Sequence, residues 1–147
     1  MMGNYRGRFG FLFVAAVLFA GSVSDAAQAG VAVLIRLSQQ TMSVAVNGSE
    51  VATWPVSTAR RGCHTPTGRF RPYSLERMHY SKLYDNTPMP YSIFFHGGYA
   101  IHGTTEVHNL GRPVSHGCVR LSPDNARLLF EWVQGQGKQN TTIDVVE

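Results

Sequence analysis

Asn47-Gly48 is the feature that most limits what this chain can fold into. It separates Thr41 to Val46 (TMSVAV) from Glu50 to Val56 (EVATWPV). An Asn-Gly step between two such runs supplies the positive φ angles of a two-residue hairpin turn. Val31 to Leu37 precedes them as a third apolar burst. The segment therefore reads as a three-stranded antiparallel meander. Pro55 has no N–H to give a ladder, so the third strand lies at an edge or ends there.

The next stretch, residues 57–98, is rich in turn formers: Pro66, Gly68, Pro72, Pro88, Pro90 and Gly97-Gly98. Thr65-Pro66-Thr67-Gly68 reads as a turn feeding a short strand at Arg69 to Tyr73. Ile93 to Phe95 and Tyr99 to Ile101 read as two more strands joined at Gly97-Gly98. One helix is expected after Ser122, a good N-cap, with Pro123 at the first helical position and Asp124 in the first turn. Ala126, Leu129, Phe130 and Val133 follow at helical spacing, and Gly135 and Gly137 are expected to stop it. Thr142 to Val146 reads as a final strand. The class is mainly β, with one helix in the C-terminal half.

At the N-terminus, Arg6 and Arg8 precede an apolar run from Phe9 to Ala20, and Ala27-Gln28-Ala29 follows. A basic start, a short apolar run and an A-x-A step are the layout of a secretory signal peptide. Residues 1–29 are expected to be that signal, cleaved after Ala29. A run of 12 residues falls short of the ~20 that cross hydrocarbon, so no membrane span is expected to remain; an uncleaved anchor is the alternative. Residues 30–147 are then one domain in the periplasm or cell envelope. Losing the signal would take the net charge from +4 to +3. The bases are scattered, and only Arg60-Arg61 are adjacent, so no nucleic-acid surface is expected. The mild positive field suits an anionic polymer such as a cell wall.

Chemistry concentrates around Cys118. It sits in Ser115-His116-Gly117-Cys118-Val119-Arg120, and Ile101-His102-Gly103-Thr104 lies 16 residues upstream. A nucleophilic cysteine needs a base to take its proton. His116 lies two residues away and shares a side with Cys118 if the segment is extended. His102 comes from a separate strand and is the preferred base. The nearest acids are Glu106 and Asp124, neither inside the motif, so the group orienting the base is expected to be a backbone carbonyl, with Gly103 the candidate. Gly117 permits a tight bend in which its N–H and that of Cys118 face a developing oxyanion, with His116 beside it or shaping the pocket. Arg120 either holds a substrate carboxylate or makes a structural ion pair.

These residues resemble the L,D-transpeptidase catalytic domain, the YkuD-like family. The match rests on His102-Gly103-Thr104 and the Ser-His-Gly-Cys-Val-Arg run, with Thr65-Pro66-Thr67-Gly68-Arg69-Phe70 upstream, and covers roughly residues 30–135. The resemblance implies a β-sandwich or barrel of mixed strands with the cysteine in a cleft. It makes Cys118 the acylated nucleophile, His102 its base and Gly103 the carbonyl that orients the imidazole. Ser115, His116 and Gly117 would shape the oxyanion side. Arg120 stands where many members carry Asn. The implied partner is a peptidoglycan tetrapeptide stem, cleaved with loss of D-alanine and joined to a second stem in a 3→3 crosslink. Water as acceptor would give a carboxypeptidase, and a protein lysine would attach an envelope protein to the wall. No cofactor or metal is implied, and a monomer is expected.

Rival readings remain open. A sortase-like cysteine transpeptidase also joins Cys, His and Arg on a β-barrel but lacks the His-Gly-Cys step. A zinc site could draw on His64, His96, His108 and Cys63, though without a C-x₂-C spacing. A non-enzymatic wall-binding domain would pair Cys63 with Cys118 in a disulfide. His79, among Tyr73, Tyr80 and Tyr84, faces either substrate or solvent.

Overall fold

A computed structural model describes residues 29–147; the expected signal segment lies outside them, apart from Ala29. Strands β1 (Val31–Arg36), β2 (Thr41–Val46) and β3 (Ser49–Pro55) form the expected meander, with β3 at the edge of its sheet. Asn47 and Gly48 both take positive φ, 50° and 82°, as the two-residue turn demands. Strand β4 (Gly68–Phe70) and the last strand, Thr141–Val146, complete five strands. The last strand runs parallel to β1 and antiparallel to β4.

The second sheet departs from the sequence reading. Ser74–Ser81 forms a strand, β5, that the turn-rich composition concealed. The next strand, β6, runs from Thr87 to His96, through Pro88 and Pro90. Pairing with β5 persists at Met78↔Pro90 and Tyr80↔Pro88. Residues two apart turn their N–H positions to the same edge, and the strand on that edge pairs with β6 only from Ile93 to His96. The prolines therefore break no ladder. Strand β7 (Tyr99–Gly103) and a three-residue strand β8 (Val119–Leu121) finish the order β5-β6-β7-β8, and β7 and β8 run parallel. The final strand, Thr141–Val146, is β9.

Helix α1 spans Pro123–Gln136, with Ser122 Oγ accepting the Asn125 N–H at 3.3 Å. Gly135 lies inside the helix, and Gly137 alone, at φ 93°, terminates it. Ala126, Leu129, Phe130 and Val133 are buried against both sheets, in one cluster with Val33, Ile35, Met42, Ile93, Ile101 and Ile143. The fold is thus mostly β, two mixed sheets and one α-helix, and α1 follows directly from β8. That connection fixes the strand carrying Arg120 to the core.

Candidate active site

The parallel pairing of β7 with β8 sets His102 opposite Arg120, in register. Side chains of paired residues leave a sheet on the same face, and residues two apart share it. Ala100, His102, Cys118 and Arg120 therefore lie on one face, with Cys118 just before β8. His102 and Cys118 both line a cleft of about 1010 Å³, together with Arg120 and His116.

His102 is buried, and its Nδ1 lies 2.7 Å from the Gly103 carbonyl oxygen. A carbonyl only accepts, so Nδ1 carries the proton and Nε2 keeps its lone pair. Gly103 is held in place: a Cβ there would come 3.1 Å from Pro90 Cγ and 3.2 Å from Pro123 Cα. Burial pushes the imidazole down from 6.5 to about 4, against the Gly103 bond and helped by the charges of Arg120 and His79. His102 is thus neutral at pH 7.

Cys118 rests on an apolar floor of Met89, Phe94 and Ala100. Burial pushes its thiol above the ordinary 9.0, although an Ala100 backbone bond and Arg120 favour the thiolate. Its Sγ reaches the Gly98 carbonyl at 3.8 Å, a contact only a protonated thiol can donate. At neutral pH the cleft therefore holds a neutral imidazole and a neutral thiol, the protonation states from which a base can take a proton during nucleophilic attack.

The turn bearing Cys118 is clamped from a segment the sequence reading left as loop. Ser57 and Arg120 exchange backbone bonds at 3.1 and 2.9 Å. Ser115 donates its N–H to the Thr58 carbonyl at 2.9 Å and accepts from Arg60 N–H at 2.8 Å. Thr65 Oγ1 donates to the Gly117 carbonyl at 2.8 Å. Gly117 sits at φ 144°, and a Cβ there would lie 2.6 Å from Tyr99 and 2.7 Å from the His64 carbonyl. Only glycine fits.

The clamp shows how three residues expected at the oxyanion side are held. Ser115 is buried and its hydroxyl is spent inside the turn, donating to the Cys118 carbonyl at 2.6 Å and accepting the Gly117 N–H at 3.0 Å. The Gly117 N–H is therefore engaged, not aimed at substrate. His116 turns outward to the cleft rim and stacks on Tyr84, with ring centroids 4.4 Å apart. Between a buried Ser115 and a buried Gly117, it is the exposed residue of the turn.

Arg120 bonds Glu106 at 3.0 Å. Glu106 thus serves the arginine, while His102 takes a carbonyl. Both cysteines are free in the structure. Among the described residues no cluster of three or more His, Cys, Asp and Glu is placed to hold a metal ion, and no helix is long and apolar enough to cross a membrane. Besides Glu106, sequence reasoning missed Thr65 as a clamp and Tyr84 as the cover of His116; both come from loops whose approach depends on tertiary structure.

A family model described as the L,D-transpeptidase catalytic domain matches residues 30–145. Over 49 residues the chain is 45% identical to a protein described as a probable L,D-transpeptidase, YbiS, of Escherichia coli K12, a match covering 33% of this chain and 16% of that one. It superposes on the crystal structure of an L,D-transpeptidase from Stackebrandtia nassauensis with a TM-score of 0.68 and 30% identity, over 85% of this chain and 60% of the other. It superposes also on L,D-transpeptidase 3 from Mycobacterium tuberculosis carrying a faropenem-derived adduct, with a TM-score of 0.67 and 25% identity, over 80% and 60%. The chain spans at most about 60% of the length of each of these proteins.

Proposed function

The chain belongs to the L,D-transpeptidase catalytic domain family, and from that premise we propose that it is a cysteine-dependent L,D-transpeptidase of peptidoglycan stem peptides. The observation that carries the reading is one cleft lined by His102, with Nδ1 tied to the Gly103 carbonyl, and by Cys118 just before the adjoining strand. His102 Nε2 takes the Cys118 proton as sulfur attacks the carbonyl between the diaminopimelate D-centre and the terminal D-alanine. The oxyanion is met by the Cys118 backbone N–H, since that of Gly117 is engaged. His102 returns the proton to the leaving D-alanine amine. The thioester then passes to the amine of a second stem, giving a 3→3 crosslink. Arg120, beside the cleft and paired with Glu106, is suited to steer a stem carboxylate.

The same reading places the chain in the periplasm or cell envelope, where this substrate is found; the apolar run Phe9 to Ala20 and the A-x-A step support export. The β-lactam-derived adduct on the Mycobacterium tuberculosis neighbour supports acylation of Cys118 by the same drug class.

Mass spectrometry of the protein incubated with disaccharide-tetrapeptide tests this. A thioester on Cys118, with loss of D-alanine and resolution to dimer, is expected. Resolution to tripeptide alone replaces crosslinking by L,D-carboxypeptidase activity. No adduct on a free Cys118 refutes the enzyme.

A further inference from the structure

The wall of the cleft built by β5 carries a second histidine with a carboxylate partner. His79 Nδ1 lies 2.7 Å from Glu76 Oε2, and both residues line the cleft. They are three apart, a spacing that a regular strand would put on opposite faces. The register with β6 is the same at Glu76↔Ser92 and at Met78↔Pro90, and Tyr91, between Ser92 and Pro90, takes φ 54°. The two side chains nevertheless meet on the cleft side. The imidazole edge rests on Phe94, centroids 5.0 Å apart, and Phe94 is also part of the floor under Cys118. A positive charge on His79 reaches His102, where it opposes protonation. Among the described residues His79 Nε2 has no hydrogen-bond partner, and the side chain is about one third exposed.

The proton balance of aminolysis leaves a task that His102 does not cover. An aliphatic amine of pKa about 10 arrives as R–NH₃⁺ at neutral pH. Becoming R–NH–CO costs it two protons. As the new C–N bond forms and the C–S bond breaks, one proton passes through His102 to Cys118 Sγ, which leaves as thiolate and ends as thiol. The other must be lost before attack, because a protonated amine has no lone pair to give. Water as acceptor needs no such prior step.

Building on the proposed transpeptidase reading, we infer that the His79–Glu76 pair is the acceptor-side base: Glu76 draws the ammonium into the cleft, and His79 Nε2 removes the proton that frees the amine for attack on the Cys118 thioester. Glu76 holds His79 by Nδ1 and leaves Nε2 facing the cleft. The ionisable groups that share this space are Glu76 and Lys82 from the same hairpin, His102 from β7, His116, Cys118 and Arg120 on the β8 side, Glu106 after β7, and the phenols of Tyr73, Tyr84 and Tyr99. Of these, Arg120 and Glu106 neutralise each other, so Glu76 is the carboxylate left to meet an ammonium.

The test separates acylation from partition. Wild type, His79→Gln and Glu76→Gln are incubated with disaccharide-tetrapeptide, and thioester formation, tripeptide and dimer are followed by mass spectrometry. Thioester formation reports the fold and the acylating centre. His79→Gln is expected to lower the dimer-to-tripeptide ratio on the order of 10–100-fold, within and below the usual range for a lost general base. Glu76→Gln lowers it less. The deficit shrinks as pH approaches 10, where the acceptor amine is already free, and added imidazole restores part of it. An unchanged ratio overturns the inference. So does an equal fall in thioester formation and aminolysis, which marks a structural role, or a deficit that does not narrow with pH. No Cys118 thioester in wild type refutes the transpeptidase reading itself, and the pair's role with it.

Discussion

The buried neutral His102 makes the stability of this fold depend on pH in a calculable way. Its imidazole titrates at 6.5 in the unfolded chain and at about 4 in the folded one. Between those values the unfolded chain binds the extra proton, so stability rises with pH. The contribution is complete above pH 7, shrinks as pH falls through 6.5, and is fully lost below about 4. Linkage gives a loss of about 2 kcal/mol at pH 5 and about 3 kcal/mol at pH 4, a large part of the 5–15 kcal/mol typical of a domain. The perturbation is His102→Gln, whose amide can still donate to the Gly103 carbonyl but does not titrate. Urea denaturation of both proteins at pH 8 and pH 5 provides the comparison, with the five other histidines and the carboxylates cancelling between them. Wild type is expected to lose about 2 kcal/mol more than the variant. Equal losses, or a larger loss in the variant, would refute the neutral buried imidazole. An NMR titration of His102 near 6.5 would do the same.

The thiol gives a parallel expectation: with a titration point above 9.0, Cys118 is less than about 1% thiolate at pH 7. Its alkylation by iodoacetamide should climb into the alkaline range with no plateau in acid, and an acid plateau would instead mark a thiolate–imidazolium pair. Arg120→Gln removes a cation that acts on both groups, so His102 should titrate higher and Cys118 higher still; the released Glu106 charge pushes both the same way, and NMR and alkylation read the two shifts. Gly117→Ala places a Cβ at φ 144° and against Tyr99, with an expected loss of about 1–3 kcal/mol in denaturation and a fall in acylation; unchanged stability would contradict the close packing. Thr65→Val strips the buried donor from the Gly117 carbonyl and should lower stability by about 1–3 kcal/mol, again read by denaturation.

Legibility in the sequence followed how local each cause was. Asn47-Gly48 and Ser122-Pro123-Asp124 act within a few residues, and the hairpin and α1 form where they point. The β5–β6 hairpin depends on pairing between residues whose own sequence argues against strands: Pro88 and Pro90 are acceptable only because β7 stops short of them. The motif around Cys118 is equally local, but what its neighbours do is not. Ser115 and Gly117 read as facing the reaction; the turn instead consumes their hydrogen bonds internally. Arg120 pairs with Glu106 across a loop, and His79 meets Glu76 although a regular strand would part them. Each outcome turns on a partner that no fixed spacing reveals.

The resting state bears on why the nucleophile should work without a carboxylate behind its base. A buried Asp against His102 would raise the imidazole and favour an ion pair with Cys118, leaving a standing thiolate open to oxidation. A carbonyl fixes the tautomer and orientation at the same position without adding charge. Desolvation then keeps both partners neutral until a carbonyl substrate occupies the cleft. In the proposed mechanism, negative charge would then move from sulfur to the oxyanion as the proton reaches Nε2, and Arg120, 3.0 Å from Glu106, lies on the same face. The apolar floor of Met89, Phe94 and Ala100 under the thiol would, in the proposed mechanism, also lie under the thioester. On the inference drawn for His79 and Glu76, selection of an amine over water would then come from their side of the cleft.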